Sequence, residues 1–122
     1  MMSPHHFFYN DLGDSLHGKS RSGATIFGHL ALAEMQKLNI IVDLSHSLEQ
    51  VVREVVSVSK EPIVISQTGF NGHCTSPRNI SDHTARNRLS ERFGRYGLGF
   101  CEGAVCGNTP SAIAKAIRYG VV

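Results

Sequence analysis

The chain has 122 residues, with 12 lysines and arginines against 10 aspartates and glutamates, so its formal net charge is only +2 at pH 7. This length suits a single domain, residues 1–122, and is about half of the ~250 residues of a complete eight-stranded α/β barrel. The basic residues are scattered rather than interleaved with aromatic ones, which argues against a nucleic-acid surface. No apolar run approaches the ~20 residues that span a bilayer and no signal peptide is recognisable, so the sequence predicts a soluble, cytoplasmic chain without a membrane segment.

The first predicted elements are a helix and a strand. Apolar residues recur at near-helical spacing over residues 25–38, and Asn39 can end this helix in a left-handed turn. The run IIVDL, residues 40–44, follows as a buried strand.

A second helix and a second strand come next. Ser47 is expected to open the helix in a capping box with Gln50. Pro62 prevents the helix from continuing and introduces the strand IVIS, residues 63–66. The apolar face of the helix consists of one leucine and four valines, Leu48, Val51, Val52, Val55 and Val56.

The rest of the chain continues the alternation. Ser81 or Asp82 caps a helix that runs to about residue 93, and a short strand at 98–101 and a helix over 109–119 complete the order α-β-α-β-α-β-α. Strands that are continuous Ile, Val and Leu runs between helices predict an α/β fold with a parallel sheet. Ligands of such sheets bind at the carboxyl ends of the strands.

Polar residues stand at the predicted carboxyl ends of the strands. His46 follows the first strand and Gln67 follows the second in the matching place, so both side chains can converge on one metal ion. Each also has a structural interpretation, as a hydrogen-bonded histidine and a satisfied glutamine. Asp43 can either orient a metal-bound imidazole or pair with a helix end, and Glu102, after the third strand, can face the pocket or solvent.

Three cysteines, Cys74, Cys101 and Cys106, lack the C-x-x-C spacing of a structural zinc site. Their odd number predicts reduced thiols, as in a reducing compartment. His73 precedes Cys74, but adjacent residues seldom coordinate one ion, so we expect a solvated loop there.

Two segments carry a resemblance to a known family: FGHLALAEMQKLNIIVDLSHS at 27–47 and PIVISQTGFNGHCTSPRNISD at 62–82. They look like the central part of the membrane (renal) dipeptidase family of zinc metallopeptidases. Segments at both ends, 5–23 and 97–122, are similar to flanking parts of the same family. The resemblance therefore covers nearly the whole chain.

The resemblance implies a (β/α)8 barrel of the TIM type, of which this chain would form about three βα units with a preceding helix. It also implies a hydrolase that cleaves dipeptides at a site with two zinc ions joined by a carboxylate and a bridging water. On this basis His46 is a zinc ligand, and Gln67 stands where a second histidine ligand belongs. His6 and Arg78 match residues that contact the dipeptide substrate.

Several family residues have no counterpart in the chain: the His-x-Asp pair, the bridging glutamate and a late acidic residue. We therefore expect a fragment or degenerate copy that is inactive alone, has no catalytic residue of its own and binds zinc weakly or not at all. The alternative is a non-catalytic α/β binding or interaction module derived from the barrel. The apolar strands of an incomplete barrel predict self-association or a complementing barrel segment as partner.

Overall fold

The structure of the chain is a computed structural model, and it describes residues 1–5, 9–15, 23–86 and Ala114. The chain divides into two compact units, Met1–Val64 and Ile65–Val122. The described helices and strands are α1 (Ile26–Lys37), β1 (Val42–Asp43), α2 (Glu49–Val58), β2 (Ile63–Val64) and α3 (Asp82–Thr84). The strand predicted at 98–101 and the helix predicted over 109–119 lie outside the described residues, apart from Ala114.

Helix α1 confirms the first predicted helix. Thr25 is its N-cap, with Oγ1 accepting a hydrogen bond of 2.9 Å from the backbone N–H of Gly28. Beyond its last turn, Asn39 adopts the predicted left-handed conformation, with φ 55°. The apolar positions of α1 are buried only in part, because Leu32 and Met35 are enclosed whereas several residues of the first turns are exposed.

Strands β1 and β2 pair in parallel, with Val42 opposite Ile63 and Asp43 opposite Val64. This pairing confirms the predicted α/β fold with parallel strands. On the other side of β1, Met2 forms a parallel bridge to Val42, a pairing that was not predicted from the sequence. The N–H of Met2 donates to the carbonyl of Ile41, and the N–H of Asp43 donates to the carbonyl of Met2, both at 2.9 Å.

Helix α2 buries the predicted valine face, with Val51, Val52, Val55 and Val56 all enclosed. Its start differs from the prediction, because Leu48 is the N-cap and no side chain caps the helix. The predicted capping box is therefore wrong. The hydroxyl of Ser47 is instead hydrogen-bonded to His5, and the Gln50 amide donates to Glu54.

Helix α3 is the last described helix. Of the two predicted caps, Ser81 takes the N-cap position, and its hydroxyl accepts from the N–H of Thr84 at 3.1 Å. None of the helices in the described part of the chain is long and apolar enough to cross a membrane.

Candidate functional site

His46 follows β1 in a left-handed backbone conformation, with φ 66°. This conformation is uncommon for any residue other than glycine, and it persists only where surrounding interactions hold it. The N–H of Ser47 donates to the carbonyl of Leu44 at 3.1 Å. Asp43 Oδ1 accepts from Ser45 N at 3.0 Å and from Ser45 Oγ at 2.7 Å. Hydrogen bonds on both sides thus fix the turn that carries His46.

His5 is a neighbour of this turn that was not among the predicted site residues. Its Nδ1 lies 2.9 Å from the hydroxyl oxygen of Ser47, in a buried hydrogen bond. Burial lowers the pKa of His5 below the ordinary 6.5, against smaller upward contributions from the Gly13 backbone and the Asp14 carboxylate. Its Nε2 is buried without a hydrogen-bond partner in the described part of the chain. A neutral His5 ring therefore supports the residue next to His46.

The position of His5 beside this turn is hard to predict from the sequence. The first residues show no alternating strand pattern, and Pro4 weakens any strand prediction. His5 lies near the end of β1 because Met2, three residues earlier, pairs with that strand. The one available signal was the adjacent pair of His5 and His6, of which the family resemblance explained only the second. His6 itself lies outside the described residues.

Gln67 and Arg78 lie together in the second unit. Nη2 of Arg78 donates to Oε1 of Gln67 at 3.3 Å. The Arg78 backbone is held as well, since its carbonyl accepts from Thr68 Oγ1 at 3.0 Å and its N–H donates to Ser76 Oγ at 3.3 Å. The interpretation of Gln67 as a hydrogen-bonded polar residue thus has an observed partner.

Hydrogen bonds of side-chain amides hold the loop between Gln67 and Arg78 in place. Asn71 accepts from the N–H of Ser76 at 3.1 Å and donates to the carbonyl of Asn79 at 3.0 Å. The amide of Asn79 in turn donates to the carbonyl of Cys74 at 2.7 Å. Because these bonds replace a regular ladder, the loop has a defined path without helix or strand.

Cys74 is disulfide-bonded, so the expectation of reduced thiols is wrong for this residue. Spacing alone could not indicate the pairing, because both other cysteines, Cys101 and Cys106, are far from Cys74 in the chain. A disulfide sulfur is not the thiolate that binds zinc. Cys74 therefore cannot join His73 in a metal site. His73 is exposed, in agreement with the solvated loop predicted here.

No group of three His, Cys, Asp or Glu side chains that could hold a metal ion occurs among residues 1–5, 9–15, 23–86 and Ala114. The described residues alone thus do not fit a two-zinc centre. His46 belongs to the first unit and Gln67 to the second, and a metal position shared by them stays a prediction. Glu102 lies outside the described residues.

The chain also matches a known family as a whole. Residues 1–119 match the family described as membrane dipeptidase, peptidase family M19. The chain belongs to this family. The resemblance inferred from the two central segments is thereby confirmed, and the family is one of metallopeptidases.

The relatives and the proteins of solved structure that this M19 chain resembles are much longer than the chain itself. Dipeptidase 3 of Mus musculus is 32% identical over 78 residues, which are 64% of this chain and 14% of the relative. The probable dipeptidase PvdM of Pseudomonas aeruginosa superposes with a TM-score of 0.71 at 22% identity, over 80% of this chain and 26% of the other. The dipeptidase AC, a metallopeptidase of family M19, gives a TM-score of 0.57 at 30% identity, over 62% of this chain and 22% of the other. The chain thus spans about a quarter or less of these proteins.

Proposed function

We propose that this M19 chain forms part of a (β/α)8 barrel, as one domain, that binds dipeptides for zinc-dependent hydrolysis, and that the chain alone is inactive. The observation that carries this proposal is the family match over residues 1–119, which includes the segments of His46 and Arg78. The parallel pairing of β1 and β2, with helix α2 between the two strands in the chain, supports the barrel.

In this function the chain contributes recognition groups rather than a complete catalytic centre. Arg78 binds the carboxylate of the dipeptide, because a planar guanidinium can donate two parallel hydrogen bonds to it. His6 contacts the same substrate, and His46 supplies one zinc ligand. The family ligands without a counterpart in this chain, among them the His-x-Asp pair and the bridging glutamate, are contributed by other segments of a complete barrel, whereas the place of the second histidine ligand holds Gln67. The hydrogen bonds at the Arg78 backbone support its assignment, since they fix where the guanidinium begins.

The test is binding of glycylglycine to the 122-residue chain, followed through the guanidinium signals of Arg78 in ¹⁵N nuclear magnetic resonance. We expect a saturable shift in the wild-type chain, its loss in Arg78→Ala, and weaker binding in Arg78→Lys because an ammonium group cannot form the bidentate pair. Arg53→Ala is the control, since Arg53 is an exposed arginine on α2. Equal binding by wild type and Arg78→Ala would contradict the proposed role.

One observation favours the alternative of a non-catalytic binding module: the position of the second histidine ligand holds Gln67, whose oxygen accepts from Arg78. The two functions differ in turnover once the missing barrel segments are supplied as a second polypeptide. Hydrolysis that a chelator abolishes and zinc restores supports the peptidase. Binding without hydrolysis in the reconstituted barrel supports the module.

A further inference from the structure

The amide of Gln67 has a partner that bears on its function, the guanidinium of Arg78. We propose that Gln67 is a positioning residue for Arg78, and that the two form a carboxylate-binding pair in which residue 67 holds no metal ion. This inference rests on the proposed role of Arg78 in binding the substrate carboxylate.

The chemistry of the two side chains decides which atom of Gln67 is used. Arginine carries only N–H donors, so Gln67 must present its amide oxygen to Nη2 of Arg78. The same oxygen is the one atom through which a glutamine side chain could bind a hard cation. A guanidinium 3.3 Å from that oxygen places a positive charge beside it, which repels a cation approaching the same atom. The arginine and a metal ion therefore compete for one oxygen.

Hydrogen bonds of the backbone hold the segments of Gln67 and Arg78 next to each other. Thr68, the residue after Gln67, is fully buried and donates from Oγ1 to the carbonyl of Arg78 at 3.0 Å. One residue further along, the N–H of Ile80 donates to the carbonyl of Gly69 at 3.1 Å. These two bonds hold residues 68 and 69 against residues 78 and 80. The Gln67 and Arg78 side chains thus start from fixed neighbouring points rather than meeting by chance.

A positioned guanidinium is a better carboxylate receptor than a mobile one, because less side-chain entropy is lost when the ligand binds. The hydrogen bond that Arg78 donates to the Gln67 amide oxygen restrains the guanidinium plane. Unlike pairing with a carboxylate, it leaves the positive charge of the arginine unneutralised. The Gln67 amide also carries N–H donors, which suit a carboxylate ligand. The pair therefore favours anionic over cationic occupants.

The experiment compares glycylglycine binding by the wild-type chain, Gln67→Met and Gln67→Glu, using the Arg78 guanidinium signals. Gln67→Met keeps the length of the side chain but removes the acceptor, so we expect affinity to fall about twofold to tenfold. Gln67→Glu should weaken binding further, since its carboxylate pairs with Arg78 and repels the ligand. In an Arg78→Lys background, Gln67→Met should have a smaller effect than in wild type if the two side chains act together.

Gln50→Met is the matched control, because Gln50 also bonds a neighbouring side chain, Glu54, through its amide. It should leave glycylglycine binding unchanged, and thermal melts should establish that every variant is folded. Zinc chloride added to the wild-type chain should leave the Gln67 side-chain amide signals in place. A saturable zinc-dependent shift of those signals would overturn the inference.

The outcomes separate this inference from the proposed function. If the wild-type chain binds glycylglycine through Arg78 but Gln67→Met binds equally well, only the positioning role of Gln67 fails. If the wild-type chain and Arg78→Ala behave alike, the proposed role of Arg78 fails, and the inference fails with it.

Discussion

His46 holds a backbone conformation that costs a residue with a Cβ atom about 1–2 kcal/mol, and its neighbours show how that cost is offset. Asp43 accepts two hydrogen bonds from Ser45 on one side of the turn, and His5 bonds to Ser47 on the other. A side chain whose backbone is fixed in this way needs little reorganisation to meet a ligand. The position of His46 after β1 was predictable from the sequence, whereas the left-handed turn at His46 and the contact between His5 and Ser47 were not.

The burial of His5 predicts how stability depends on pH. Because the pKa of His5 is lowered in the folded chain, the unfolded chain takes up the proton first as the pH falls through 6.5. The contribution of neutral His5 is present above that pH and decreases below it, until the folded chain also binds the proton. We expect the free energy of unfolding in urea to decrease between pH 7 and pH 5, and His5→Asn to make this decrease smaller.

Asparagine suits this test because its amide can replace the hydrogen bond to Ser47 but cannot titrate. His73→Asn is the matched control, since it removes an exposed histidine without touching Ser47. An unchanged pH dependence in His5→Asn would show that His5 does not govern it.

At the scale of elements, the positions of the helices were easier to predict from the sequence than the distant residues that contact them. The predicted range 25–38 agrees with α1 to within one residue at each end, and Asn39 follows it in the predicted left-handed turn, because periodicity and such turns depend on adjacent residues. The capping box at Ser47 failed for the opposite reason. A partner 42 residues away, His5, takes the serine hydroxyl.

Gly28 illustrates the same limit and gives a second prediction. In an open helix, Gly→Ala stabilises by about 1 kcal/mol. At Gly28, however, a Cβ would overlap the carbonyl oxygen of Leu12, which accepts from the N–H of Thr25 as the loop crosses the first turn of α1. We therefore expect Gly28→Ala to lower the free energy of unfolding by about 1–3 kcal/mol, as overpacked sites do.

Urea unfolding of Gly28→Ala against wild type measures this effect. Ala33→Gly, at an exposed position of the same helix, is the control for propensity alone and should destabilise by about 1 kcal/mol. A Gly28→Ala variant more stable than wild type would show that the Leu12 backbone can move aside.

At the scale of the whole molecule, the first turns of α1 present apolar side chains to water. Ile26 is 83% exposed, Phe27 58% and Leu30 64%. An apolar patch of neighbouring side chains on one helix is typical of a surface that packs against another chain or segment. It supports the expectation of self-association that follows from an incomplete barrel.

We expect the sedimentation coefficient of the chain to rise with concentration, and the double variant Phe27→Asp, Leu30→Asp to shift association to higher concentration. Ser57→Asp, at an exposed position of α2, adds a negative charge without removing apolar surface and should behave as wild type. A wild-type chain that stays monomeric at every concentration would contradict the prediction.

The sequence by itself determined the features that depend on residues close together in the chain. These are the valine face of α2, the ends of α1, the alternation that required parallel strands, and the motifs that placed the chain among the M19 dipeptidases. Tertiary structure alone decided which distant groups meet: His5 with Ser47, Arg78 with Gln67, and the Leu12 carbonyl with Gly28. The physical reason is that periodicity and capping are short-range properties, whereas a hydrogen bond between distant residues forms only after packing has fixed both partners.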